Sequence, residues 1–447
     1  MLMPEFGDLM IRTFLIAAIL IFAIGSLCSA LPGPPSITKM GNGLTIILRE
    51  DHATELIGLD IWVKAGSANE TAKNNGVSHF IEHMVFGATA KRQPGDMDLE
   101  MESLGATLDA RTSRDWAHFY TTVSSRYLSQ ALDILADALT SSQFREKDIK
   151  SERMIILDEV AKKQSEPFRV CQDYLAKELF GNHPYSLPVE GTAESLKAIS
   201  RQDILDYYHK YYVPKNIAVI LVGDVDMQRA TTEVGRAFQG LSNLPQPELQ
   251  TQQVAQIERQ VNKRIKVSFN NTYLAVGFIG PAGTDYTDVC ATDLLLAYLG
   301  YGYRSWMAEE LQVKMGLATE VSADFLTQNQ QGMISLVAET SDSSVDKFKG
   351  SLFAKIARIR NEGIPEASLA LSKRSLLGQF AFQNETYLGT ANTYGFYYAV
   401  SQPDFASRYV SCIQSITNQD IIRATQKYMD PSRAVVLILG PTQEAQR

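Results

Sequence analysis

Ile199–Gly223 reads ISRQDILDYYHKYYVPKNIAVILVG, and Ile416–Gly440 reads ITNQDIIRATQKYMDPSRAVVLILG. The two stretches align without a gap at an offset of 217 residues. Identical pairs include Gln202/Gln419, Asp203/Asp420, Ile204/Ile421, Tyr211/Tyr428, Pro214/Pro431 and Gly223/Gly440. Each copy reads as a helix capped by Ser200 or Thr417, a Pro-marked turn, and a buried β-rich run. One such unit closing each half implies two tandem homologous domains, on a period too long for a solenoid.

The join is visible as well. Residues 241–256 (LSNLPQPELQTQQVAQ) are polar and rich in Gln and Pro, with no apolar period. Each half opens on strand-like runs, Leu44–Arg49 and Leu56–Ala65, then Ile265–Phe269 and Thr272–Phe278. Amphipathic helices such as Leu128–Leu139 and Val345–Asn361 follow. The expected fold class is α+β, each domain a largely antiparallel sheet packed with helices. The expected division is 1–30, 31–240, a linker at 241–257, and 258–447.

Of 447 residues 45% are hydrophobic and 21% charged, which excludes collagen-like, coiled-coil and wholly disordered chains. The net charge is 42 − 50 = −8, with no Lys/Arg run, so a basic nucleic-acid grip is not expected. Thr13–Leu27 is a continuous apolar run of 15 residues, short for a spanning helix, preceded by Arg12 and followed by Cys28-Ser29-Ala30. It reads as a secretory signal cut after Ala30, with Met10 a better start than Met1; the alternative is a retained anchor. The expected location is therefore exported, in a periplasmic, oxidising compartment, with no stable membrane span after cleavage. Cys171, Cys290 and Cys412 then remain, too few and too far apart for a disulfide framework or a Zn knuckle, and at most one bridge is expected.

The sharpest chemical signal is His79-Phe80-Ile81-Glu82-His83. On a helix, residues four apart lie about 40° from each other round the axis, so both imidazoles can meet one ion. Glu82 falls on the other side of His79, near the ion without competing for it, where a carboxylate can act as general base on water. Ser78 is placed to cap this helix and Gly87 to stop it. A catalytic zinc needs a third protein ligand and an open position. Candidates lie in Lys150–Gln164, where Glu152 and Glu159 are seven apart and share a helical face beside Ile155, Ile156 and Val160. One could bind metal and the other orient a ligand, and spacing alone does not choose between this and a solvated Glu face.

Taken together, these residues resemble the pitrilysin/insulinase family of zinc peptidases. The likeness is to short two-domain bacterial members akin to the mitochondrial processing peptidase β subunit. It is carried by Ile61–Thr89 (IWVKAGSANETAKNNGVSHFIEHMVFGAT), Glu102–Asp115 (ESLGATLDARTSRD), Ser151–Val160, His183-Pro184-Tyr185 and Pro188-Val189-Glu190-Gly191. It spans about residues 36–441. The resemblance implies His79, His83 and Glu159 as ligands of one Zn2+ per chain, Glu82 as general base, and Glu152 as the carboxylate behind the ligands. It also implies that substrate adds as a strand along Thr107–Thr112, beside Asp109, Ala110, Arg111 and Thr112. Backbone pairing of that kind suits extended or unfolded peptides. The family usually has Asn where this chain has Asp109.

The second half departs further. The family's C-terminal domain lacks zinc but supplies an Arg and, seven residues later, a Tyr that hold substrate and oxyanion. Those positions are here Gln312 and Thr319. Neither replaces a charge-assisted donor, whose loss typically costs about 100- to 1000-fold in rate. The expectation is a zinc-bearing peptidase subunit completed by a homologous, zinc-free partner carrying the Arg/Tyr pair. The alternatives are a self-sufficient homodimeric peptidase and a non-proteolytic zinc-containing structural subunit. Elsewhere, the G-x-G of Leu299–Tyr303 lacks a third Gly and is no dinucleotide signal, and Tyr394–Tyr398 reads as core or interface packing.

Overall fold

The computed structural model describes residues 33–241 and 252–441. The expected export signal, 1–30, and residues 242–251 of the expected linker at 241–257 lie outside the described residues. Both copies of the repeated unit form as the sequence pattern requires. Ser200 accepts from Asp203 N and Thr417 from Asp420 N, and each Asp returns the bond to the cap, so two otherwise orphaned donors are satisfied at each start. A short Pro-initiated turn at Pro214–Asn216 or Pro431–Arg433 then delivers the chain into Ile217–Gly223 or Val435–Gly440.

The strands of the first half are β1 (Ser36–Lys39), β2 (Thr45–Glu50), β3 (Leu56–Val63), β4 (Asp109–Thr112), β5 (Ala117–Ser124) and β6 (Ile217–Gly223). Its helices are α1 (Val77–Val85), α2 (Asp96–Ser103), α3 (Leu128–Ser141), α4 (Glu146–Lys163), α5 (Pro167–Phe180), α6 (Ala193–Ala198), α7 (Arg201–Tyr211) and α8 (Met227–Ala237). The second half contributes β7 (Val261–Lys266), β8 (Thr272–Ala282), β9 (Ala318–Leu326), β10 (Gln331–Thr340) and β11 (Val435–Gly440). Its helices are α9 (Tyr286–Gly300), α10 (Val345–Glu362), α11 (Glu366–Gln383), α12 (Tyr387–Val400), α13 (Phe405–Ser415) and α14 (Asn418–Tyr428), with a wide helical stretch at Met307–Lys314.

The sheet orders are β1-β2-β6-β3-β5-β4 and β7-β11-β8-β10-β9, the same path apart from β1. All pairings are antiparallel except β2 with β6 and β7 with β11. Two mixed α/β halves with matching topology therefore stand in tandem, as the repeat implies.

The fully apolar run of β6 has a specific cause. Val219 and Leu221 face the core made with the first half's own helices, beside Leu59, Ile61 and Phe80. Ala218, Ile220 and Val222 face a second core shared with the other half, beside Leu274, Tyr394 and Tyr398. A strand covered on both faces loses its polar alternation. The cover is exchanged between halves: α12 packs on β3, β5 and β6, while α5 packs on β8, β10 and β11. Gly58 permits the first contact, because a Cβ there would lie 2.6 Å from the Tyr387 and Leu388 backbone. Tyr394, Tyr397 and Tyr398 are buried on α12, in the packing role their sequence implies. Cys290 on α9 and Cys412 on α13 form a disulfide, and Cys171 is a buried free thiol.

Three local expectations need correction. Ser78 is not the cap of α1; it lies inside the first turn, and Gly76 precedes the helix at φ +94°. The substrate-strand candidate shortens from Thr107–Thr112 to β4, Asp109–Thr112, because only those residues pair with β5. Ile155 does not turn inward; it is exposed, and Ile149 and Ile156 anchor α4 instead.

Candidate metal centre

The site is organised by α1, whose sequence VSHFIEHMV buries Val77, Phe80, Ile81, Met84 and Val85. The remaining stripe of His79, Glu82 and His83 faces α4 and the edge strand β4, both of which pack on α1. The start of the helix is held by a residue with no part in the sequence reading. Glu70, buried in the preceding loop, accepts from Gly76 N at 2.7 Å, Ser78 N at 2.8 Å, Asn75 Nδ2 at 2.9 Å and the Ser78 hydroxyl. A carboxylate at an N-terminus also meets the positive end of the helix dipole. Burial raises the Glu70 carboxyl above its ordinary value, and the bonds from Ser78, Gly76 and Asn75 oppose that rise. Gly76 is required on two counts: its left-handed φ, and the Glu190 carbonyl that a Cβ would meet at 2.8 Å.

Helix α4 brings Glu152 and Glu159 to α1. It is fixed from behind by Arg153, which donates to the carbonyls of Leu196 and Ile199 and lies over the Phe80 ring. Glu159 Oε2 is 3.3 Å from His83 Nε2 and 3.9 Å from His79 Nε2. One donor atom from each of His79, His83 and Glu159 lies within 4.8 Å of the others. Tetrahedral zinc with bonds of about 2.0–2.1 Å puts its ligand atoms about 3.4 Å apart, so this donor set fits the ion with small closure. Burial, then His83, pushes His79 down to about 4, leaving a neutral imidazole with a free lone pair at pH 7. Glu152 Oε2 stands 3.4 Å from His83 Nδ1, on the side of the ring away from Glu159.

Glu82 does not join that triad. Its carboxylate is largely buried, and Oε2 has no hydrogen-bond partner among the described residues. Burial raises its carboxyl, with the nearby Thr112 hydroxyl and His83 pulling the other way. Thr112 ends β4, which pairs with β5 only: Asp109 with Tyr120, Ala110 with Phe119, Arg111 with His118, Thr112 with Ala117. Among the described residues the other edge of β4 carries no strand, so an unpaired ladder lies alongside the His/Glu cluster.

Further residues support the site without a signal in the spacing. Lys163 is buried between Asp173 and Glu190 at 2.7 Å each, and Arg169 also reaches Glu190. Burial alone would raise Glu190, but Lys163 outweighs it and holds the carboxyl below its ordinary value. His183 serves as a loop anchor, its Nδ1 accepting from Tyr185 N. Tyr185 donates to Asp115, which also accepts from Asn329 N, tying the end of the edge-strand hairpin to the second half. These are long-range partners, so only the fold reveals them.

Gln312 and Thr319 meet each other: Gln312 Nε2 donates to the Thr319 carbonyl at 2.7 Å. Thr319 lies on β9, the second sheet's counterpart of β4. Neither supplies a charge.

A repeated two-sheet fold in which, among the described residues, the first half alone groups an inverted H-x-x-E-H helix with a distant glutamate defines a two-domain protein of the inverted-zincin kind. Residues 45–193 match the family model described as insulinase (peptidase family M16), and residues 198–376 match the M16 inactive domain. The chain belongs to the M16 insulinase/pitrilysin family, in its short two-domain form. It is 23% identical over 435 residues to a zinc protease, PqqE, of Helicobacter pylori, covering 95% of this chain and 98% of that one. It is 36% identical over 189 residues to the mitochondrial-processing peptidase subunit beta of Bos taurus, covering 42% of this chain and 38% of the relative. The crystal structure of a protease from Helicobacter pylori superposes with a TM-score of 0.86 at 22% identity, covering 92% of this chain and 100% of that one, and establishes the shared fold.

Proposed function

We propose that this chain is the zinc-bearing subunit of an exported metallopeptidase that hydrolyses extended or unfolded peptides. The observation that carries the reading is the convergence of His79, His83 and Glu159 within 4.8 Å, with the unpartnered Glu82 carboxylate beside them. His79, His83 and Glu159 would hold the ion, and Glu152 would orient the His83 ring. A bound zinc would supply Lewis-acid chemistry, polarising a carbonyl and lowering the pKa of water. Glu82 takes the proton from the attacking water and delivers it to the departing amine. Its buried setting, which raises the carboxyl, suits a group that must both accept and release a proton. The free edge of β4 receives the peptide backbone, which accounts for a preference for extended chains over any one sequence.

Gln312 and Thr319 support the further reading that the working enzyme includes a homologous, zinc-free partner with the Arg/Tyr pair. The bovine relative is itself called a subunit. A periplasmic location rests on the apolar run before Ala30 and its small-residue cleavage site. No described helix is long and apolar enough to cross a membrane. The test is peptide cleavage by this chain alone and with the partner, alongside metal analysis. Glu82→Gln is expected to keep its zinc and abolish turnover, and Glu159→Ala to lose zinc. Full-rate cleavage by the single chain would overturn the partner requirement and favour the self-sufficient homodimer. Zinc without any cleavage, partner present, would favour a structural subunit.

A further inference from the structure

Each sheet ends in a hairpin, β4–β5 in the first half and β9–β10 in the second, and the tips of the two hairpins meet. The first tip is the turn at residues 113–116, closed by Ser113 N donating to the Trp116 carbonyl at 2.8 Å. The second is the turn at residues 327–330. Asp115 joins them: its Oδ1 accepts from the Tyr185 hydroxyl at 2.6 Å and its Oδ2 from Asn329 N at 2.9 Å. The hydroxyl of Tyr185, a fully buried residue, in turn accepts from Gln330 N at 3.2 Å. The second tip is fixed on its own half. Gly283 N donates to the Gln328 carbonyl at 2.8 Å, and a Cβ on Gly283 would lie 2.9 Å from that oxygen. The first tip is held from its own side by Ser67 N on the Ser113 carbonyl at 3.1 Å and Ala68 N on the Arg114 carbonyl at 2.8 Å. Between these anchors and solvent lies β4, four residues long and paired with one strand. So short an edge has few bonds of its own to keep it from fraying, so its order is set at the turn it leads into.

We infer that Asp115 is a positioning residue for the peptide edge, and that through it the β9–β10 turn of the second half sets how tightly β4 binds a peptide. The inference rests on the reading of β4 as the substrate's pairing edge. Thr112 ends that strand with its hydroxyl beside Glu82, and Asp115 follows three residues later. A peptide along β4 pairs with backbone donors and acceptors, so its affinity depends on whether they are already in line. With Asp115 holding the turn, the strand is ordered before the peptide arrives. Without it, binding must do the ordering, and fixing the backbone of a single residue accounts for about a tenfold loss of affinity. Asp115 touches no peptide itself and acts only through β4. The zinc-free half thereby contributes to peptide binding through a contact in which Gln312 and Thr319 take no part.

The test is binding of a fluorescent decapeptide to the zinc-loaded full chain carrying Glu82→Gln, read by anisotropy, together with hydrogen exchange across residues 109–113. Adding Asp115→Ala is expected to weaken peptide binding about tenfold and to speed exchange in β4, with zinc content unchanged. Asp115→Asn should recover most of the affinity, because its amide still accepts from Asn329 N and donates to the Tyr185 oxygen. Tyr185→Phe removes both bonds of the hydroxyl and should fall between the two. Tyr208→Phe loses a buried bond to the Leu139 carbonyl, away from β4, and should bind as the parent does. A contact that serves stability alone lowers the unfolding midpoint and leaves both the folded chain's affinity and the exchange of β4 unchanged. That result overturns the positioning role while β4 remains the peptide edge. If Asp115→Ala does not fold, Tyr185→Phe against Tyr208→Phe decides in the same way. A parent that binds no peptide, or binds it without protecting β4 from exchange, overturns the edge reading and the positioning role together. A wild-type chain that cleaves nothing, even with a partner, while its variants shift affinity as expected, overturns the peptidase chemistry and leaves the positioning role standing.

Discussion

Glu70 is the residue on which the position of the metal helix most depends, and its removal has a calculable cost. Glu70→Ala deletes the acceptor for Gly76 N and Ser78 N, both in buried surroundings at the start of α1. Asn75 keeps a partner in the Pro188 carbonyl, and the Ser78 hydroxyl can rotate, so the loss centres on two backbone donors. A buried donor without a partner costs about 1–3 kcal/mol, which sums to about 4 kcal/mol for the pair. Glu70→Gln retains the shape but turns an amide N–H toward a donor, so about half that loss is expected. The assay is equilibrium urea unfolding of the metal-free protein, which keeps zinc linkage out of the measurement. A loss below about 1 kcal/mol in the Ala variant would match a solvated helix end responding only to its dipole, and would refute the capping argument. The same variant should weaken zinc binding by about 10- to 100-fold, because His79 and His83 ride on the helix it starts.

Other consequences are accessible to simple measurements. Burial, then Lys39, pushes Lys64 down to about 8, so the unfolded chain binds that proton more tightly than the folded one. Stability should therefore rise as pH climbs from about 8 towards 10.5, by on the order of 3 kcal/mol at most, and Lys64→Met should flatten the rise. Burial also pushes the Cys171 thiol up to about 12, so an alkylating reagent at pH 8 should label it only after unfolding; rapid labelling of the folded chain would contradict this. Cys412→Ser opens a cross-link spanning 122 residues and is expected to cost about 2–5 kcal/mol in an unfolding titration under oxidising conditions.

Much of the molecule is legible in the chain itself. The repeat at Ile199–Gly223 and Ile416–Gly440 specifies two halves of one pattern, because caps, turns and apolar runs are local signals. The H-x-x-E-H spacing puts His79 and His83 on one stripe by helix geometry alone. Spacing alone does not choose between Glu152 and Glu159; the resemblance does, and the packing of α4 on α1 places one beside Nδ1 of His83 and the other beside Nε2. Local sequence favours the Ser78 hydroxyl as the cap of α1, because a hydroxyl is the usual local choice, whereas the Glu70 carboxylate, eight residues upstream, accepts from the first backbone donors. Helical spacing puts Ile155 beside Ile156, but the cover over α4 is too narrow to reach it, and it stays exposed.

The sequence by itself determined what acts over a few residues: the two-fold repeat and the metal-spaced histidines. Tertiary structure decided what acts across the fold: which helix covers which sheet, which carboxylate meets which imidazole nitrogen, and where β4 stays unpaired. The division has a physical reason. Helix period and capping are set by bonds between near neighbours, while the exchange of α5 and α12 between halves depends on burying apolar faces more than a hundred residues apart.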